Sequence, residues 1–202
     1  MRYVFAALSL MLFSPVHADV TFEYAEFDGT MKIHISGQNA LVSAPENPPI
    51  YLIGDELHVV DMDARQYTTL TASTIQQIHE RREARYNHRY VPRPGSAKTV
   101  GGYRCSTVRY EVDGENVGEF CVTSHAEMNL TDEEWMTLQR VMHALAAADG
   151  LGGDWSKAKG VVIEWSSGGA TARLTRVSHD KLPRGLVRDS MPAAFRQDVY
   201  RP

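Results

Sequence analysis

From Val20 onward the chain alternates apolar and polar residues over short stretches broken by turn residues. Val20, Phe22 and Tyr24 share one face of residues 20–27, and Met31, Ile33 and Ile35 alternate with Lys32 and His34 over residues 30–36. Shorter strands are expected at 39–43, 50–53, 56–61 and 65–70. Gly37-Gln38, Gly54-Asp55 and Asp63-Ala64 separate them, and Pro45, Pro48 and Pro49 form a stiff loop that strand pairing should exclude. Strands so closely spaced predict an antiparallel meander with one dry and one wet face.

The period then lengthens to that of a helix. Ser73 with Gln76 predicts a capped start, and Ile75 and Ile78 give a narrow apolar stripe. His79 to Tyr86 is polar nearly all round, and Val91 to Gly95, with two prolines, should end the element. A stronger helix is expected over 131–149. Thr131 and Glu134 form a capping box, Gly150 stops it, and Trp135, Leu138, Val141, Met142 and Leu145 share one face. Strands 161–166 and 170–178 should turn at Gly168-Gly169, and the tail should add an edge strand.

Between the helices, residues 99–123 read as a hairpin around Asp113-Gly114 that carries the chain's two cysteines, Cys105 and Cys121. A three-residue loop, Val112-Asp113-Gly114, puts Glu111 opposite Glu115 and the cysteines directly opposite each other. Opposed positions lie within disulfide reach, which predicts a bridge and an oxidising compartment.

The start of the chain agrees with that compartment. Arg2 precedes an apolar run, Val4 to Phe13, and Val16-His17-Ala18 is a small-residue cleavage site. The reading is a signal peptide over 1–18 and a single domain over 19–202, periplasmic or secreted. The run is too short to span a membrane, and no cysteine lies near the cleavage site to carry a lipid anchor. Losing Arg2 reduces Lys plus Arg from 21 to 20 against 25 Asp plus Glu, a net charge near −5. That mild acidity argues against nucleic acid as the main partner.

The order of these elements, the turn Asp61 to Tyr67, and Gly102-Tyr103-Arg104-Cys105 with a second cysteine on the partner strand together resemble secreted bacterial domains grouped with the LolA/LolB lipoprotein-carrier superfamily. The resemblance implies an α+β fold: a curved antiparallel sheet, or half-barrel, with helices on its concave face and room there for acyl chains.

No catalytic motif emerges. His79-Glu80 and Glu83 lack the second histidine of a zinc helix, and Met142-His143 reads as one core and one surface residue. Asp61 and Asp63 fit a turn better than a calcium loop. His34 and His58 fall on polar strand faces. No metal or cofactor is expected. The leading expectation is a non-enzymatic protein that binds a lipidic or apolar ligand, or an acylated polypeptide. Its groove would be lined by Phe22, Tyr24, Ile33, Leu57, Val59, Leu138, Met142 and Trp165. The alternative is an envelope interaction module without a cavity, docking an acidic partner protein through the basic segment 81–98, chiefly Arg81, Arg82, Arg85 and Arg89.

Overall fold

A computed structural model describes residues 19–26, 29–45, 47–93, 96–149, 155–183, 185–187 and 195–199. The expected signal peptide lies outside them. Six strands form the meander: β1 (Asp19–Glu26), β2 (Gly29–Ser36), β3 (Asn39–Ala44), β4 (Asn47–Ile53), β5 (Glu56–Asp61) and β6 (Gln66–Leu70). After helix α1 (Ala72–Arg85) come β7 (His88–Pro92), β8 (Lys98–Val100), β9 (Tyr103–Val112) and β10 (Glu115–Thr123). Helix α2 (Asp132–Asp149), β11 (Val161–Ser167), β12 (Ala170–Ser178) and β13 (Arg196–Val199) complete the order. The class is α+β, as expected.

The strands form one sheet, ordered β13-β6-β5-β4-β3-β2-β1-β12-β11-β10-β9-β7, with β8 paired to β9. Among the described residues all pairings are antiparallel except β13 with β6. This order forces curvature. From β6 to β7 there are eleven strands, which laid flat would span ~48 Å at ~4.8 Å per step. Yet α1 joins those two strands directly, and its 14 residues cover only ~21 Å at 1.5 Å each. The sheet must roll until its edges approach, leaving α1 across the concave side.

Beneath the helices lies one apolar cluster. It joins Val20, Phe22, Tyr24, Ile33, Ile35 and Leu57 of the sheet to Ile75 of α1 and Leu138, Val141 and Met142 of α2. The opposite face is not uniformly wet. Ala40, Leu41 and Val42 are buried in succession. Leu41, Tyr51 and Val60 point away from the main cluster and are covered by Leu182, Leu186, Val187 and Phe195 of the C-terminal segment. The single wet face expected of the meander is lost at β3–β5 because the tail folds back over them.

Four local expectations are corrected. Pro48 and Pro49 lie within β4, in a bulge: Ala44 pairs with Asn47 and Val42 with Ile50, so neither proline has to donate to the ladder. Residues 88–92, of which Val91 and Pro92 are expected only to end the first helix, form edge strand β7 on β9. Asp113 N donates to Asn87 O and Arg93 N to Thr107 O, so odd-numbered residues bond inward and Pro92, lacking an N–H, faces the open edge. The 99–112 strand breaks at Gly101-Gly102, whose positive φ angles of 57° and 88° fold β8 back onto β9.

The stapled hairpin also differs in register. Asp113 (φ 52°) and Gly114 (φ 88°) make a two-residue turn with both residues left-handed, so Val112, not Glu111, pairs with Glu115. A bulge near Val117 shifts the ladder again, and Cys121 pairs with Thr107. Cys105 and Cys121 are therefore diagonal neighbours. They are still bonded, with Cα atoms 5.3 Å apart, and both are buried.

Candidate functional site

The residues expected to line a groove are mostly core. Phe22, Ile33 and Leu57 are fully buried, and Tyr24, Leu138 and Met142 nearly so. Val59 is half-buried against the same cluster. Trp165 lies apart, in a second cluster with Tyr110, Phe120, Ala158 and Val162. Tyr24 hides its hydroxyl by donating to Val162 O at 3.0 Å, and burial pushes its pKa well above the ordinary tyrosine value. The apolar floor is thus packed shut beneath the two helices.

The helices close it in different ways. Helix α2 buries Glu134, Thr137, Leu138, Val141, Met142, Ala144 and Ala147. Its capping box forms as expected: Thr131 N donates to Glu134 Oε2 at 2.7 Å and Glu134 N to Thr131 Oγ1 at 3.2 Å. Thr137 Oγ1 donates to Gly37 O at 2.9 Å. Arg140 reaches Gln38 O at 3.0 Å, Gly54 O at 3.2 Å and Asp55 at 2.9 Å, tying α2 to two turns of the meander.

Helix α1 is held more lightly. Its cap is Thr71, two residues before the expected Ser73, because β6 runs into the helix with Thr71 still extended. Gln76 donates to Glu80 instead of completing a box. Only Ile75 and His79 are buried. His79 stacks on His143 with ring centroids 4.0 Å apart, and its Nε2 donates to His143 O at 2.9 Å. Arg82 Nη1 donates to Ala146 O at 2.6 Å, satisfying a carbonyl in the last turn of α2. His143, expected on the surface, is half-buried in this seam. The sequence does hold a signal for it: Ile75, Ile78, His79 and Arg82 follow the 3–4 spacing of one helical stripe, but a histidine and an arginine count as polar in a hydropathy pattern.

The basic segment is partly committed. Arg82 serves α2, Arg93 pairs with Glu119 at 2.8 Å, and Lys98 pairs with Glu164. Arg81, Arg85 and Arg89 remain exposed. His34, half-buried, bonds Thr21 Oγ1 at 2.9 Å. His58, expected to be solvated, is buried against Thr69 Oγ1 at 3.0 Å. Desolvation holds both rings below the ordinary histidine value. Asp61 accepts from Ala64 N at 2.8 Å, the turn role expected of it.

Two cavities lie outside the expected groove. One of about 230 Å³ sits between Asp19, Ser36 and the tail residues Leu182, Leu186 and Val187. The other, about 570 Å³, opens where the last turn of α1, the start of β7 and the β9–β10 turn meet, and includes Arg85, Tyr86, His88 and Asp113. Sequence reasoning does not gather these residues, since Asp113 comes to them only through the pairing of β7 with β9. No helix among the described residues is long and apolar enough to cross a membrane.

No family model matches the sequence, and no curated protein matches it either. Among solved structures the chain is similar to an uncharacterized conserved protein from Thermus thermophilus, at 6% identity, with a TM-score of 0.51 over 92% of each chain. That likeness carries the fold alone: an open, curved, largely antiparallel sheet closed over by two helices.

Proposed function

We propose that this protein is a non-enzymatic carrier of the LolA/LolB-like half-barrel type. In this reading it is exported by its signal peptide to the periplasm or beyond, and it takes up a lipidic ligand or the acyl chain of a polypeptide beneath α1. The observation that carries the reading is the unequal attachment of the roof. An apolar floor of Phe22, Ile33 and Leu57 is covered, beside Met142 of α2, by a helix that buries two residues and borrows two hydrogen bonds from its neighbour. Swinging α1 aside would break those few contacts and expose aliphatic surface, worth about 25 cal/mol per Å² to an acyl chain that re-covers it. The buried disulfide fits an oxidising compartment. Delipidated mature protein should bind a fluorescent fatty acid saturably, and Met142→Arg should abolish that uptake. Absence of saturable uptake by the unmodified protein overturns the carrier reading.

One observation favours a second reading. The floor is packed, while Arg81, Arg85 and Arg89 are exposed, as an interaction module for an acidic envelope partner requires. Reversing these three to Glu leaves Arg82 to hold α2 and should abolish salt-sensitive capture of such a partner. Capture indifferent to salt counts against it.

A further inference from the structure

The cavity at the C-terminal end of α1 has firm walls. Asn87 N donates to Asp113 Oδ1 at 2.8 Å and Asp113 N donates to Asn87 O at 3.0 Å, locking the β9–β10 turn to the α1–β7 junction. His88 lies parallel to Tyr110 at 5.8 Å, and its Nδ1 is 2.7 Å from the Tyr110 hydroxyl. Tyr86 meets His88 edge-on at 6.0 Å and is 42% exposed.

The charges around this space balance. Glu83 and Asp113 are negative, and Arg85 and Lys157 are positive. Desolvation, with help from the Arg82 charge, holds His88 below its ordinary value, which favours the uncharged ring. A simple anion would gain Arg85 and Lys157 but face both carboxylates, and a simple cation meets the reverse. A ligand carrying both signs satisfies all four groups. Arg85 has no ion-pair partner among the described residues. Lys157 pairs with Glu83, but both side chains are about half exposed. Such a pair is worth at most about 1 kcal/mol and opens readily.

We propose that this cavity binds a zwitterionic phosphate–ammonium headgroup. Arg85 and Lys157 take the phosphate, and Asp113 and the Tyr86 ring take the ammonium. The assignment rests on the carrier reading for its lipid form, because the helix that would admit the acyl chain also ends in this cavity. The headgroup chemistry stands without it. The source is either a phospholipid or the free headgroup, and the two are separable by experiment.

The test titrates the mature protein with soluble glycerophosphoethanolamine, following Tyr86 and His88 by NMR. Binding to phosphatidylethanolamine vesicles is measured alongside binding to phosphatidylglycerol vesicles. Saturable shifts at both residues are expected, with affinity reduced about tenfold in Arg85→Gln and in Asp113→Asn. The latter keeps a side chain that accepts from Asn87 N and suits a left-handed turn position. Preference for phosphatidylethanolamine vesicles supports the lipid source, and binding of the soluble headgroup without vesicle binding supports the free one. Absence of saturable shifts, or equal binding of glycerol phosphate, overturns the proposal. Fatty-acid uptake by the same variants separates the readings. Normal uptake with no headgroup binding sinks this site alone, and headgroup binding with no uptake sinks the acyl route alone.

Discussion

Two helices roof the same apolar floor, and they are built for different jobs. Helix α2 carries a complete capping box and drives Leu138, Val141 and Met142 into the core, and Arg140 ties it to two turns of the sheet. Helix α1 must cross the mouth of the rolled sheet because it joins the two strands β6 and β7. It crosses with two buried residues, one of them a histidine. Helical stability in proteins comes mainly from packing of the apolar face, so the two should differ in local stability although they touch. A connector that is required by topology but lightly packed is the part of a fold that can open without unfolding the rest.

The largest expected effect tests α2. Leu138→Ala removes a side chain that is 2% exposed and should cost about 3 kcal/mol by urea unfolding, from lost transfer energy plus the cavity left behind. A loss below about 1 kcal/mol would mean that α2 is no better anchored than α1. The staple comes next. Replacing Cys105 and Cys121 together by Ala opens a loop of 16-residue separation and should cost about 3 kcal/mol in the chain-entropy account, with the loss shared by the whole fold. Arg82→Ala sharpens the contrast. It should cost about 1 kcal/mol globally by leaving Ala146 O without its donor. Hydrogen exchange should speed up in α1 far more than in α2. Equal acceleration in both helices would mean that they open as one unit.

The two helices also mark how far the sequence can be read. The class, the meander, α2 with its box, and the existence of the disulfide follow from periods and caps that are local. What escapes depends on partners distant in the chain. Residues 88–92 become a strand because β9 lies beside them, with Tyr90 and His88 stacking on Tyr110. Tolerance of Pro48 and Pro49 depends on a bulge against β3. The diagonal cysteine pairing follows from a two-residue turn plus a bulge at Val117, in place of the single three-residue loop that the spacing predicts. The expected groove residues fall mostly on the core-facing side, but nothing local reveals that they meet side chain to side chain with the floor closed. Trp165 departs from that face because β11 bulges where Cys121 and Val122 pair with Glu164 and Val162, upsetting simple alternation along the strand.

The smallest expected effect concerns pH and separates the stapled side of the sheet from the meander. Burial opposes the charge on Glu164, but hydrogen bonds from Lys98 and Arg173 outweigh it and hold its carboxyl below the usual glutamate range. A carboxylate with a depressed folded value adds stability above its unfolded value near 4.3, and that stability is lost as pH falls toward the folded value. His34 and His58 act in a higher window. Their folded values lie below about 6.5, so the unfolded chain takes up protons first and stability falls as pH drops below that point. The melting temperature should therefore fall in two stages on acidification. His58→Phe should flatten the stage that begins as pH drops below about 6.5, and Glu164→Gln should flatten the stage below about pH 4.3. If Glu164→Gln instead alters the upper stage and leaves the lower one intact, the Lys98–Glu164–Arg173 network is not what holds β8, β11 and β12 together at low pH.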